Sequence, residues 1–235
     1  MTHEEEQIES LKRFWQDYGT PILVGLVLAV AVFLGWSYWQ KSRMADATKA
    51  AQTFQEMLSA VQRSQVNPDD KAANTDVLRF GKTLKEAHGN TPYAVSAGLL
   101  LARQAADRND FKEAEKQLRW VLEQKPGEAD RLLATARLAR VLASQQKHDE
   151  ALALLVKETG AGGFTPTLEE LKGDIYQAQG KTAEARSAYE AAAKALQERD
   201  ERRPLLELKM ADVGLAPLEP KKDEKAKADK ESSSS

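Results

Sequence analysis

A charge-free apolar stretch, Pro21 to Trp39, constrains this chain more than any other feature of its sequence. At about 1.5 Å per residue, a helix of this length reaches roughly 28 Å, close to the ~30 Å hydrocarbon core of a bilayer. Elsewhere the chain is hydrophilic, with a mean hydropathy of -0.55 and 30% charged residues. Aromatic residues flank the stretch at both ends, among them Trp15, Tyr18 and Trp36, as in the interfacial belts of membrane proteins. The pattern predicts a spanning helix over residues 21–39 and disfavours a buried core helix.

A cleaved signal peptide is the main alternative, because the segment Ala45–Ala47 resembles a cleavage site. The residues before the stretch are rich in glutamate where a signal peptide carries net positive charge. Lys41 and Arg43 also intervene before the alanines, so we expect the helix to be retained. Charge does not decide its orientation, since Lys12 and Arg13 flank the other end.

Residues 1–20 form an acidic tail that begins with a capping-box pattern, Thr2 to Glu5. Apolar residues then recur at steps of three and four, which predicts a short amphipathic helix at the membrane interface. A frayed polar tail is the alternative, because so short a helix is marginal without a surface.

Residues 40–90 are predicted to form a connecting helix and a helical hairpin. The segment Met44–Gln65 is rich in good helix formers and is predicted to continue the spanning helix. Asn67–Asp70 provides a turn, and a second helix is expected from about Asn74 to His88.

Residues 91–215 carry three imperfect copies of a repeat near 34 residues, the period of tetratricopeptide arrays. Small residues mark equivalent positions at Ala102, Ala139 and Gly173, where two helices approach closely. The pattern predicts an all-α solenoid, with an irregular helical bundle as the alternative. The loop Thr159–Pro166 interrupts the period, and Leu205–Val213 is expected to cap the stack. Ordered structure is predicted to stop beyond Gly214, and residues 216–235, without any aromatic residue, are predicted to be disordered.

No catalytic or metal-binding pattern emerges from the sequence. Gly81 and Gly180 each begin a Gly-Lys-Thr triplet, but neither has the upstream glycine or the preceding strand of a phosphate loop. Both glycines are therefore predicted at helix ends or turns. The three histidines lie far apart, cysteine is absent, and the net charge of -2 does not favour a nucleic-acid partner. We expect a non-enzymatic protein without cofactor or metal.

Repeats of this kind bind partners along a concave surface lined by the first helix of each hairpin. Arg103 and Arg140 occupy equivalent positions in successive copies and could hold carboxylates or backbone carbonyls of an extended partner. Ordinary solvated surface arginines are the alternative. The repeat phase predicts that the partner-binding face comprises Leu99, Arg103, Leu133, Arg140, Asp174 and Gln177.

Small residues also pair four positions apart within the spanning helix. Gly25 with Ala29, and Ala31 with Gly35, lie on different faces. Such pairs allow close helix packing in membranes, so two lateral helix contacts are predicted.

The chain resembles the YfgM family of bacterial inner-membrane proteins. The resemblance covers about residues 1 to 215, including the terminal segment 203–209, and is most specific in Phe14–Gly19 and Leu171–Lys181. It implies an ancillary subunit of the SecYEG translocon, with a cytoplasmic N-terminus and a periplasmic repeat domain. It also implies a PpiD-type periplasmic chaperone as partner and unfolded secretory proteins as clients.

These observations lead to one functional expectation: a membrane-bound adaptor linking secretion to periplasmic chaperones. A scaffold of another cell-envelope assembly, in division or outer-membrane biogenesis, is the alternative, since it could use the same architecture. A membrane-tethered hydrolase has no supporting constellation of residues.

Overall fold

The computed structural model describes residues 3–158, 162–196 and 200–218. All regular secondary structure in these ranges is helical, which confirms the predicted all-α class. A short 3-10 helix, Gly162–Phe164, precedes the seventh helix. The helices are α1 His3–Val66, α2 Lys71–Ala87, α3 Pro92–Asp107, α4 Phe111–Glu123, α5 Glu128–Ser144, α6 His148–Val156, α7 Thr165–Ala178, α8 Thr182–Ala195 and α9 Arg203–Asp212.

Helix α1 continues from the apolar stretch into the repeat domain without a break, as the sequence predicted. It is long and apolar enough to cross a membrane, and its most apolar window has a mean hydropathy of 1.7 and no buried residue. Trp36 and Trp39 lie together at the end of this window, with ring centroids 5.3 Å apart, and the Arg43 guanidinium lies 4.4 Å from the Trp39 ring. Residues 3–20 belong to the same helix. Their placement at the membrane interface stays a prediction, and Thr2 lies outside the described residues.

The C-terminal part of α1 forms a hairpin with α2. Ala50, Met57 and Ala60 are fully buried there. Helix α2 begins at Lys71, three residues before the predicted start, because the Asp70 carboxylate accepts a hydrogen bond from the Ala73 amide at 2.9 Å and caps the helix.

The C-terminal end of α2 contacts α1 shortly after the apolar stretch. The His88 ring Nδ1 lies 2.5 Å from the Asp46 carboxylate, and His88 is only 11% exposed. Asp46 is seven residues past Trp39, so this contact lies about 10 Å along the helix from the aromatic cluster. The α1–α2 contacts therefore begin close to the end of the apolar window.

Three further hairpins repeat one local geometry, which places the repeats as the sequence predicted. Asn109, Gln146 and Gly180 occupy the left-handed region in the three interhelical turns, with φ of 60°, 64° and 73°. They follow Ala102, Ala139 and Gly173 by the same interval. In each turn the next backbone amide donates to a carbonyl five residues earlier at 2.9 Å, which ends the first helix.

Glycines inside the helices mark close approaches between neighbours. A Cβ at Gly173 would lie 2.4 Å from the Tyr189 ring, and one at Gly98 would lie 3.2 Å from the Trp120 ring. Trp120 of α4 thus fills the space beside Gly98, where the repeat consensus has a large side chain.

The prediction for Gly81 was wrong. Gly81 lies inside α2 and is buried, since a Cβ there would lie 2.7 Å from Leu101. Gly180 does lie in a turn.

The hairpins stack so that their first helices adjoin. The C-terminal part of α1 contacts α3, α3 contacts α5, and α5 contacts α7, while α2, α4, α6 and α8 form the outer layer. We call the surface formed by α1, α3, α5 and α7 the first-helix face. This face starts on the same helix that carries the membrane span.

The C-terminal end is packed by α9 and the residues after it. Leu206 and Met210 of α9 are buried against α8, as expected of a capping helix. Leu215 and Leu218 pack on the same cluster, and the Arg203 Nη2 donates to the Leu218 carbonyl at 2.6 Å. Packing thus extends past Gly214, where order was predicted to stop, because these leucines cover the end of the stack. The rest of the predicted disordered tail, residues 219–235, lies outside the described residues.

Candidate functional site: an arginine cleft on the first-helix face

A cleft of about 330 Å³ opens on the first-helix face between α3 and α5, with α4 at its floor. We call it the arginine cleft, because Arg103, Arg137 and Arg140 all line it. Small side chains on α3 make this wall of the cleft shallow and allow α5 to approach α3. The remaining lining residues are Ala102, Ala106, Phe111, Leu118, Val141 and Ser144.

The three arginines differ in depth. Arg103 is exposed, and its Nε lies 3.7 Å from the Asp107 carboxylate one turn along the same helix. Arg137 is half-buried, and its Nη1 donates to the Leu99 carbonyl at 3.4 Å. Burial, and then the positive charges of Arg103 and Arg140, lower the pKa of the Arg137 guanidinium. The cleft thus holds converging positive charge beside apolar side chains.

A second cleft, also of about 330 Å³, lies between α1, α2 and α3 and shares Arg103 with the first. We call it the hairpin cleft. Ser64 and Asn74 line it with Gln104, and the Ser64 hydroxyl donates to the Asn74 Oδ1 at 2.8 Å. The Gln104 Oε1 is buried there without a hydrogen-bond partner among the described residues. The two clefts form a path from the end of α1 across α3 to α5.

Of the predicted partner-binding residues, Arg103 and Arg140 come together in the arginine cleft. Leu99 is only 7% exposed and belongs to the hydrophobic core formed by α3 to α7, and Leu133 packs against the same core. Their side chains stabilise the stack beneath the cleft. Whether these residues contact a partner stays a prediction.

Asp174 and Gln177 form a separate network on the third repeat. The Tyr189 hydroxyl lies 2.9 Å from a side-chain oxygen of each, and it donates its single proton to one of them at a time. Burial, and then the Asp174 charge, raise the pKa of the Tyr189 hydroxyl. The Lys209 Nζ of α9 donates to Asp174 at 2.8 Å and to Glu170 at 2.6 Å. These two predicted binding residues therefore help to dock the capping helix.

Sequence reasoning missed Arg137. It lies three residues before Arg140 on α5, and that spacing places the two side chains on one helix face. The spacing was a usable signal. The burial of Arg137 could not be predicted from the sequence, because it depends on how closely α3 approaches α5.

A charged network on the outer face joins the two hairpins that carry the arginine cleft. Glu115 of α4 accepts hydrogen bonds from Gln145 at 2.9 Å and from Lys147 at 2.8 Å, both in the turn after α5. Arg119 also bonds Glu115 and continues to Glu150 of α6. Burial alone would raise the pKa of the Glu115 carboxyl, but the bonds from Lys147, Gln145 and Arg119 outweigh it and lower the pKa to about 2.

The small residues of the predicted membrane contacts are accessible in the structure. Gly25, Ala29, Ala31 and Gly35 are all exposed, and a Cβ added at either glycine would meet no atom within 4 Å. Both faces of the span are thus open to a neighbouring helix. Within the described ranges, no group of three side chains could hold a metal ion.

Comparison with known proteins agrees with this architecture. The family model of the tetratricopeptide repeat-like domain matches residues 12–215. The chain is 31% identical over 192 residues to the ancillary SecYEG translocon subunit of Escherichia coli (strain K12), an alignment that covers 82% of this chain and 88% of the relative. Proteins of the same name are 30% identical in Neisseria gonorrhoeae, over 88% of this chain and 95% of the relative, and in Haemophilus influenzae, over 80% and 88%. No solved structure matches the chain.

The match spans both parts of the molecule, since residues 12–215 include the apolar span and the helical repeats. The chain is anchored in a membrane by α1 and carries a tetratricopeptide repeat-like domain. It belongs to the YfgM family of ancillary SecYEG translocon subunits.

Proposed function

We propose that this protein is a non-enzymatic inner-membrane adaptor of the Sec translocon that links the translocation of secretory proteins to periplasmic chaperones. Its N-terminus lies in the cytoplasm and its repeat domain in the periplasm. A PpiD-type membrane-anchored chaperone is its partner, and unfolded secretory proteins are its clients.

The observation that carries this proposal is the family membership combined with the course of α1. Relatives over most of the chain are named ancillary SecYEG translocon subunits. Helix α1 joins the membrane span to the first-helix face without a flexible linker. A partner bound on that face is therefore held near the membrane, where a translocated chain emerges.

A binding role also accounts for the absence of an enzyme-like site in the sequence. Stacked hairpins present an extended lining surface, and such surfaces bind partners. The arginine cleft offers charge and apolar contact, but no nucleophile beside a base. We therefore assign the cleft to binding.

The span supplies a second contact in this proposal. Gly25 and Ala29 on one face, and Ala31 and Gly35 on another, let neighbouring backbones approach closely. One face would contact a translocon helix and the other the span of the chaperone. Two such contacts would hold the adaptor between its partners.

Purification of the tagged full chain from membranes in a mild detergent tests the proposal. SecYEG subunits and a membrane-anchored periplasmic chaperone should co-purify. Gly25→Leu and Gly35→Leu should each reduce recovery of a partner, while Val27→Leu, on the same helix, should not. Co-purification of a division or outer-membrane assembly complex in place of SecYEG would overturn the proposal.

Photo-crosslinkers at positions 103 and 140 provide an independent readout in cells. Adducts with the translocon, with a chaperone or with nascent secretory proteins are expected. A chain that crosslinks to none of these from either position, or from the span, would contradict the adaptor role.

A further inference from the structure

The arginine cleft differs from the rest of the surface in how its arginines are paired. Elsewhere, most of the arginines whose side chains the structure describes lie beside a carboxylate of the chain itself, as in the Arg63–Asp76 pair at 2.9 Å. The arginines paired in this way outside the cleft are Arg63, Arg79, Arg119, Arg131, Arg202 and Arg203.

Inside the cleft the pairing is largely missing. Arg137 and Arg140 have no carboxylate within 4.0 Å among the described residues, and Arg103 has only Asp107, at 3.7 Å. Arg137 is nevertheless half-buried, with a single long hydrogen bond to a backbone carbonyl. A partly desolvated cation without a counter-ion is costly to the fold, and an incoming anion would offset that cost.

The neighbouring charges add to this effect. The positive charges of Arg103 and Arg140 help to lower the pKa of Arg137, so the three cations repel one another within the cleft. A guanidinium binds a carboxylate through two parallel N–H donors, which suits an acidic side chain better than a single point charge would.

The floor of the cleft selects for a second feature of the ligand. Ala106, Phe111, Leu118 and Val141 line it with apolar atoms. A volume of about 330 Å³ is at the lower end of the ~300–1,000 Å³ range of small-ligand pockets, so it can enclose a side chain but no folded surface. A simple inorganic anion would leave this floor uncovered.

The path to the hairpin cleft favours an extended chain over a compact ligand. Both clefts meet at Arg103, and the hairpin cleft places the hydroxyl of Ser64 and side-chain amides beside the apolar side chain of Leu100. Gln104 contributes a buried carbonyl oxygen that lacks a donor among the described residues. An extended peptide presents backbone N–H and C=O groups all along its length, which matches such a lining.

We infer that the arginine cleft binds an extended peptide segment of a partner protein, with an acidic side chain held by Arg137 and Arg140 and an adjacent apolar side chain against Phe111. Arg103 contacts the segment where it passes toward the hairpin cleft. The inference rests on the proposed function, because it names the kind of segment through which the adaptor recognises a partner.

Peptide binding to the full chain in detergent micelles tests this inference. The probes are a fluorescein-labelled peptide Ser-Gly-Glu-Phe-Glu-Gly-Ser and its counterpart with lysine at both glutamate positions, followed by fluorescence anisotropy. The glutamate peptide should bind, and the lysine peptide should not. Binding should weaken as salt is raised, because partly exposed charges are screened.

Charge reversal sharpens the assignment to the cleft. Arg140→Glu should weaken binding of the glutamate peptide at least about tenfold, as expected from loss of a close charge pair, and should admit the lysine peptide. Arg186→Glu, an exposed position on α8, is the matched control and should leave both affinities unchanged. Because Arg140 is exposed, the variant should keep the thermal unfolding of the parent, and Arg103→Glu provides a second reading if it does not.

Three results would overturn the inference: no binding of either probe, equal binding of both, or the same loss in the control as in Arg140→Glu. The proposed function is judged separately by co-purification with SecYEG. If SecYEG co-purifies while the peptide fails to bind, the inference falls and the adaptor role stands. If the peptide binds but SecYEG does not co-purify, the adaptor role falls and the assignment of the cleft to peptide binding stands.

Discussion

The span and the part of α1 beyond it belong to one helix but have different surroundings. In the span, Val27 and Leu28 are 65% and 61% exposed, and no neighbour among the described residues covers them. In the part beyond the membrane, Met57 and Ala60 are fully buried against other helices of the chain. The apolar side chains of the span need lipid, whereas those of the distal part need α2 and α3. Helix continuity therefore does not imply a common source of stability, since the two parts are stabilised by different partners.

Truncating one apolar side chain in each part should give the largest contrast. Met57→Ala should lower the free energy of unfolding of the repeat domain by roughly 4 kcal/mol, because it leaves a cavity at a fully buried site. Leu28→Ala, with no protein neighbour, should change it by less than about 0.5 kcal/mol. Thermal and urea unfolding of the full chain in detergent measure both values. Equal losses would show that the span also packs on the repeat domain.

Breaking α1 between its two parts should give the second-largest effect. Ser42→Pro removes a backbone hydrogen bond at a cost of about 3 kcal/mol in a helix interior, so α1 should kink or unwind there. Spin labels at Tyr38→Cys and Gln52→Cys report this directly, because the chain has no native cysteine.

In the parent chain the two labelled backbone positions should lie ~21 Å apart with a narrow distribution. The distribution should broaden in Ser42→Pro but not in Ser42→Ala. A broad distribution in the parent would disprove a continuous α1.

Acid should destabilise the repeat domain and leave the span unaffected, because the span carries no charged residue. The pKa of Glu115 is about 2 in the folded protein and about 4.5 ordinarily, so its stabilisation is full above pH 4.5 and disappears as the pH falls toward 2. Allowing for the half-exposed partners, Glu115→Gln should cost about 2 kcal/mol at pH 7 and almost nothing near pH 2.

Urea unfolding at the two pH values checks this, with Glu123→Gln, an exposed change on the same helix, as control. Membrane retention of α1 should be the same at both. A loss in Glu115→Gln that does not shrink with acid would contradict the assignment.

The contact nearest the membrane should give the smallest effect. Asp46→Ala leaves the nearly buried His88 without its 2.5 Å partner, and loss of one such bond costs about 1 kcal/mol. Lys49→Ala, an exposed change on the same part of α1, should have no effect. Hydrogen exchange of the α2 C-terminus should also rise in Asp46→Ala alone. Identical exchange in both variants would show that the Asp46–His88 contact does not stabilise the C-terminus of α2.

The sequence was sufficient for features set by spacing along one helix. The length of the apolar stretch predicted a spanning helix, and small residues at 102, 139 and 173 predicted the phase of the repeats. Both depend on periodicity, which the chain displays directly.

Features set by approach between helices were harder to predict. Gly81 resembles a helix end until Leu101 of α3 is seen to lie against it. The half-buried position of Arg137, and the packing of Leu215 and Leu218 beyond the expected end of order, likewise depend on distant segments. Charge pairing also depends on distant segments, so the arginine cleft became recognisable only when most of the other described arginines were seen to lie beside a carboxylate.

The unbroken course of α1 also makes the molecule a lever. From Trp39 to Val66 the helix extends ~40 Å beyond the aromatic cluster, and transmembrane helices commonly tilt by ~20°. A tilt of that size at the membrane moves the far end of α1 by ~14 Å, about the width of a helix. Bilayer thickness, or a neighbour leaning on the span, would thereby swing the mouth of the two clefts across the membrane surface without any change inside the repeat domain.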